Sequence, residues 1–284
     1  MSPIISTLAV NSFKSTGDAL IGPAWLDILM IAGGGGSGIA QLGGGGGIVS
    51  ISNALGTSDN YNLLNASYDF GQSWAVTVGG SGFGQNGGNS FVNGWTAAGV
   101  AENPVKNMTA LGGGHAALAT GGNGGSGGSG GGGDGQGTGG TASGTAYGGL
   151  TKQGTSGGNG QYLWWGGTVS GGGGGFDAAG GNGADPNTGT AGRGSQANDA
   201  STSPYIWLGI SDNSSYTGEF SHGGGSSLSR SLGQPGDAQT DGVVAIRFPS
   251  STPNPTVTNA TAYSDTTNNL KIYVWTSSGT FTWG

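Results

Sequence analysis

The 284-residue chain contains no cysteine. Disulfides, zinc ribbons and thiol catalysis are excluded together, and non-covalent contacts alone must hold the fold. Charge is also scarce: Asp, Glu, Lys and Arg make up 7% of the residues, and the net charge is −7. The basic residues, Lys106, Lys152, Arg193, Arg230 and Arg247 among them, are scattered. Phosphate binding needs clustered cations, so nucleic acid is not expected as a partner. Long apolar runs are missing as well. The best, Leu26 to Ala32, is interrupted by Asp27 and is far too short to span a bilayer. The opening MSPIISTLAVNSFK has neither a basic leader nor a long apolar stretch. The expectation is a soluble chain without a recognisable export signal and without membrane insertion.

Glycine is what the chain has instead. Of its 69 glycines, 65 lie between Gly33 and Gly242. Ordinary disordered segments are rich in Glu, Lys and Pro, and this chain has only nine prolines. Three zones follow from composition. Residues 1–32, an N-terminal attachment segment, end in the apolar run WLDILMIA, which reads as a buried strand. Residues 33–242 alternate glycine tracts with inserts of larger residues: WAVTVGG (Trp74 to Gly80), YLWWGG (Tyr162 to Gly167) and SPYIWLGI (Ser203 to Ile210). WAVTVGG has the period of a strand. Residues 243–284 return to β composition, with GVVAIRFP leading in and KIYVWTSSGTFTWG reading as two strands around a Ser-Ser-Gly turn. Helical patterning is confined to a weak stretch at 108–120.

Fixing a glycine costs about 0.5 to 1 kcal/mol more than fixing an alanine, and the glycine zone has too few apolar side chains to offset that by burial. The backbone is the remaining source. Each satisfied hydrogen bond nets about 0.5 to 1.5 kcal/mol, and a residue without Cβ can be approached from any side. The geometry that exploits this is the extended helix of three residues per turn, which has no internal hydrogen bonds and turns every donor outward. Residues 121–132 read GGN GGS GGS GGG, a run of about 37 Å at ~3.1 Å per residue. Collagen is excluded because no Gly-X-Y phase is sustained. A flexible linker does not interleave with Trp-bearing strands over so long a stretch. The expected fold class is irregular and all-β-like: packed polyglycine II helices, a glycine sandwich, flanked by short β-strands and a C-terminal β-hairpin.

The bracketing strands DILMIAGGGG (Asp27 to Gly36) and GVVAIRFP (Gly242 to Pro249), with WAVTVGGSG between them, resemble the glycine-rich domain common in bacteriophage virion proteins. The glycine tracts resemble the polyglycine helix sandwich of distal tail-fibre adhesins. The resemblance covers residues 26–284. It implies a non-enzymatic protein located in the virion, joined to other fibre, tail or capsid proteins, whose loops between glycine helices bind a bacterial surface protein or polysaccharide. The β sequence after the glycine zone departs from the adhesin pattern, which keeps open a purely structural capsid or tail decoration role. Glycine-rich ice-binding proteins are a further alternative, opposed by the aromatic inserts and the absent cysteines.

Enzyme signals are weak. G-x-S-x-G recurs around Ser126, Ser129 and Ser156, but chance produces it in a Gly/Ser tract and no strand-to-helix elbow surrounds it. His115 and His222, the only histidines, sit in no catalytic constellation. Asp134 follows GGGG, yet Ser129 and Gln136 break the calcium-repeat pattern. No catalytic residue, cofactor or metal is expected. Aromatics carry more information. Tyr162, Trp164 and Trp165 cannot all face one side of an extended segment, so one of the pair Trp164 and Trp165 is expected to face outward, and an outward ring between rigid tracts offers contact area at low entropy cost. Phe176, Tyr205 and Trp207 are expected at the same end, with Phe91 and Trp95 as further candidates. Together these are the expected receptor-binding loops. Tyr273, Trp275, Phe281 and Trp283 alternate as a strand face or subunit contact would.

Overall fold

A computed structural model describes residues 23, 25–38, 43–51, 73–93, 109–144, 152–176, 178–184, 238–266 and 268–283. Among them there is no helix, and the fold is all-β-like. Seven strands form one curled antiparallel sheet: β1 (Asp27–Ile31), β2 (Ile48–Ile51), β3 (Trp74–Thr77), β4 (Phe91–Asn93), β7 (Val243–Pro249), β8 (Thr256–Asp265) and β9 (Leu270–Thr282). Its order is β2-β1-β7-β9-β3-β4, with β8 also paired to β9. A separate hairpin joins β5 (Gln161–Tyr162) and β6 (Thr168–Val169). Strands from all three compositional zones thus share one sheet, and β1 pairs with β7 across more than two hundred residues of sequence.

Side-chain alternation gives this sheet two apolar faces. Ile28 and Met30 of β1, Val244, Ile246 and Phe248 of β7, and Tyr273 and Trp275 of β9 point into one cluster with Trp74, Phe281 and Trp283. Leu29, Ile31, Val243, Ala245, Ile272 and Val274 point into the other, with Ile48. The first cluster is an aromatic nest. Trp74 meets Phe281 edge-on at 4.2 Å between centroids, and Trp283 meets Phe281 and Phe248 at 5.1 Å each. The four C-terminal aromatics are therefore an intramolecular strand face, and burial raises the Tyr273 phenol above its ordinary pKa.

Two expectations fail here for identifiable reasons. The Ser-Ser-Gly turn is not a turn. β9 runs through it, the β8–β9 hairpin reverses instead between Asp265 and Leu270, and the register shifts between Thr258 and Ala260, so that residues 276–279 bulge against Asn259. Asn259 takes a φ of 57° and its amide donates to the Ser278 carbonyl at 2.9 Å. The bulge bends β9 so that its first half pairs with β7 and its last residues with β3. The helical stretch at 108–120 is not helical over its described residues, 109–120. Gly112 to Gly114 interrupt it, and its amides are bonded to neighbouring segments.

The glycine tracts continue the sheet without being strands. Beyond β1, Gly33 donates to Gly88, Gly34 to Thr240, Gly35 to Gly44 and Gly36 to Gln85. Residues 33 and 36 thus bond to one neighbouring segment, while the two between them bond to others. The same three-residue rhythm recurs. Gly113 and Ala116 donate to Gly33 and Gly36, Gly114 and Ala117 to Ser129 and Gly132, and Gly130 and Gly133 to Thr155 and Gly158. Surface asparagines extend it. Asn86, Asn89, Asn123, Asn159 and Asn182 each accept, through Oδ1, a backbone N–H of another segment, at 2.8 to 2.9 Å.

These registers fix the direction of each tract. Residues 33–38, 111–117, 129–133 and 155–160 run away from the sheet; 43–47, 122–127, 138–142 and 171–175 return. The expected 37 Å run at 121–132 is folded in two. It reverses at Gly128 and Ser129, where the Ser129 hydroxyl, buried, donates to the Gly175 carbonyl. Turns at 82–86, 117–122, 134–137 and 163–167 consequently share the end distant from the sheet.

Close approach requires the missing side chains. A Cβ on Gly131 would run into the His115 carbonyl, and one on Gly114 into that of Gly125. Gly80, by contrast, has its nearest foreign atom at 3.9 Å, the Asp241 Oδ1. Gly131→Ala is expected to destabilise the protein by about 1–3 kcal/mol or more, as overpacking does, whereas Gly80→Ala is expected to be neutral or to stabilise by about 0.4–1 kcal/mol. Denaturant unfolding of both variants checks the contrast.

Candidate functional site

At the distal end, β5 and β6 pair through Gln161 with Val169 and Tyr162 with Thr168. The connection is a tight turn: the Leu163 carbonyl accepts from Gly166 N–H at 2.9 Å, and Leu163 N–H donates to the Gly167 carbonyl at 2.8 Å. Gly166 has a φ of 89°, in the left-handed region where a Cβ costs about 1–2 kcal/mol. That is the three-residue hairpin loop closed by a glycine. Leu163 is buried and anchors the loop. Trp164 and Trp165 occupy its crest, and Trp165 lies over Gly167, where a Cβ would strike its indole.

Trp164 is 90% exposed, Trp165 59% and Tyr162 54%. Both tryptophans face outward, not one as alternation predicts, because they sit on a turn and not on an extended segment. Two further exposed apolar residues of this end are not apparent from the sequence. Phe83, 87% exposed, stands in the turn beside Gly84, and Leu118 is exposed in the turn before Gly121. The available signal was a lone large apolar residue set between glycines, as in Gly82-Phe83-Gly84.

Phe176 does not join this end. It is 4% exposed and packs with Leu29, Ile31 and Ile48 against the sheet, with the Lys152 ammonium 5.8 Å from its ring centre. The reason is topological: the tract of 171–175 returns to the sheet before its turn closes, Gly175 N–H donating to Ala178. Its ring is a hydrophobic plug and not a contact surface. Phe91 likewise packs against the core. Tyr205, Trp207 and Trp95 lie outside the described residues.

Four of the residues behind the weak chemical signals, Ser126, Ser129, His115 and Asp134, make hydrogen bonds within the fold. Ser126 Oγ pairs with Thr141 Oγ1 at 2.9 Å, Ser129 is buried, and His115 Nδ1 lies 2.8 Å from the Ala116 carbonyl. His222 lies outside the described residues. Asp134, also buried, accepts from the Ser170 hydroxyl at 2.5 Å through Oδ1 and from Gly121 N–H at 3.3 Å through Oδ2. Among the described residues no three or more His, Asp or Glu side chains gather where a metal would bind. Among the described residues, the distal turns expose Trp164, Trp165, Phe83 and Leu118 beside amide and hydroxyl side chains such as Gln136 and Thr138. The chain matches no protein-family model, no curated protein and no solved structure.

Gly166→Ala is expected to lower stability by about 1–2 kcal/mol through the left-handed backbone it forces on alanine. Trp164→Ala should leave stability within about 0.5 kcal/mol of the parent, as surface substitutions do. Thermal melts of the two variants distinguish a strained turn from an exposed ring.

Proposed function

We propose that the chain is a non-enzymatic bacteriophage virion protein, of a tail fibre or spike, whose glycine tracts are polyglycine II helices packed as a sandwich and whose distal turns bind a receptor on the host cell. Support for the helices is the three-residue rhythm of hydrogen-bond partners, which suits a helix of three residues per turn without internal bonds. The bracketing strands β1 and β7, paired to one another, are the segments that carry the resemblance to phage proteins. The receptor reading is carried by one observation: Trp164, Trp165, Phe83 and Leu118 in turns, and Tyr162 at the end of β5, are exposed at one end of a backbone-bonded body.

The physical logic is separation of labour. Tracts bonded through their main chains do not depend on the turns that join them, so the turns are free to vary in sequence and shape. The opposite end, with the sheet, is left for attachment to other virion proteins. The receptor is a bacterial surface protein or polysaccharide, and binding needs no cofactor. A purely structural decoration role is favoured by a different observation: β8, ten residues long and mostly exposed, has β9 as its single partner among the described residues, and such an edge is a template for assembly.

Replacing Trp164 and Trp165 together with alanine is expected to reduce binding to host cells or their envelope extracts by about tenfold or more, the scale of an aromatic hot spot, with the melting temperature unchanged. Undiminished binding would favour the decoration role.

A further inference from the structure

We infer that the distal hairpin is a site for an uncharged glycan, held by stacking of sugar faces on Trp164, Trp165 and Tyr162. This rests on the receptor reading above and names its ligand class. The inference comes from the charge of the tip. From Gln161 to Thr168 the sequence QYLWWGGT contains no acidic or basic residue. Neighbouring turns at 117–122 and 134–137 add one ionisable group, Asp134, and it is buried, with Ser170 and Gly121 donating to it.

Other classes of ligand ask for charge. Phosphate and carboxylate groups are gripped by Arg and Lys. Anchors that lie in a membrane surface combine aromatic residues with a basic face. Protein hot spots pair Trp and Tyr with Arg. None of these cations stands at the described tip. What does stand there is a group of flat rings with exposed amides and hydroxyls around them: Gln161 and Thr168 on the hairpin itself, Gln136 and Thr138 at the adjoining turn. A pyranose ring has that same division, with C–H groups on a face and hydroxyls along the edge. The apolar face covers an indole, and the edge hydroxyls meet amide and hydroxyl partners.

Preorganisation favours the fit. Leu163 is buried beneath the crest, Gly160 N–H donates to the Gly137 carbonyl at 2.9 Å, and the turn is closed by its own hydrogen bonds. The rings are presented on a frame already ordered by folding, so binding orders little that is not ordered beforehand.

The test uses the full-length protein and a panel of neutral hexaoses (gluco-, manno-, galacto- and xylo-configured), with tryptophan emission and calorimetry as readouts. Saturable binding of at least one member is expected, unchanged between about 50 and 500 mM salt because no charges are paired. Trp164→Ala is expected to weaken it by roughly tenfold, while Trp164→Tyr, which keeps a stacking ring, is expected to weaken it less. Failure of every hexaose to bind, binding that falls steeply with salt, or equal loss in both variants would overturn the inference, as would binding to phosphatidylcholine vesicles in place of the sugars. A protein that binds no hexaose but whose adhesion to host envelope extracts still depends on Trp164 and Trp165 loses the glycan and keeps the receptor reading. Adhesion indifferent to both tryptophans removes the receptor reading itself.

Discussion

The hydrogen bond from one glycine tract's amide to the next tract's carbonyl is the interaction on which the rest depends. Each such bond is modest on its own, about 0.5 to 1.5 kcal/mol net, and it forms only where two main chains come into direct contact. At Gly131 and Gly114 the carbonyl of a neighbouring segment already occupies the place a side chain would take. The glycine content is thus a steric condition for the bonding. It is also a conformational burden, since glycine loses the most freedom on folding, and only near-complete pairing of the main chain can meet it.

The sheet supplies what the tracts cannot. Its two apolar faces gather the large side chains that the glycine zone lacks, and β1, β2, β3 and β4 each lead directly into or out of a tract. Ile31 precedes Gly33, and Gly47 precedes Ile48. Register set by strand pairing is therefore handed on to the tracts, which explains why residues three apart on one tract meet residues three apart on the next. The bulge in β9 belongs to the same design. By bending one strand across two partners it curls the sheet around Trp74, Phe281 and Trp283, giving a small chain region a compact aromatic core.

Much of this was legible in the sequence. DILMI and VVAIRFP announce strands by apolar runs whose single charges, Asp27 and Arg247, pair with one another at 2.9 Å, and WAVT by its alternation. The idea that glycine serves backbone contact follows from composition and the hydrogen-bond argument. What sequence could not provide was tract length. GGNGGSGGSGGGG looks continuous, and its fold at Gly128 and Ser129 is held by bonds to Gly112, Gly45 and Gly175, none of which is local. Phe176 lies at the sheet end for the same reason: its position depends on the direction of its tract, which no local sequence sets. The Ser-Ser-Gly segment has turn chemistry, yet Thr258 and Asn259 on β8 give it a bulge to form instead. At the tip, the tryptophan pair was visible as two large rings between glycine tracts, whereas Phe83 and Leu118 needed the registers that bring their turns to the same end.

A body built on its main chain is the platform on which the proposed recognition rests, and Trp164, at the crest of the distal hairpin, is the most exposed large apolar side chain among the described residues. The measurement that bears most directly on the underlying claim is amide hydrogen exchange of the intact protein, resolved over the tracts. Amides of Gly113, Gly114, Gly128, Gly130 and Gly131 donate to neighbouring carbonyls, so the account predicts exchange as slow as that of β1 and β7, governed by global opening. Exchange of those glycines at the rate of an unstructured chain, with the strands still protected, would contradict it.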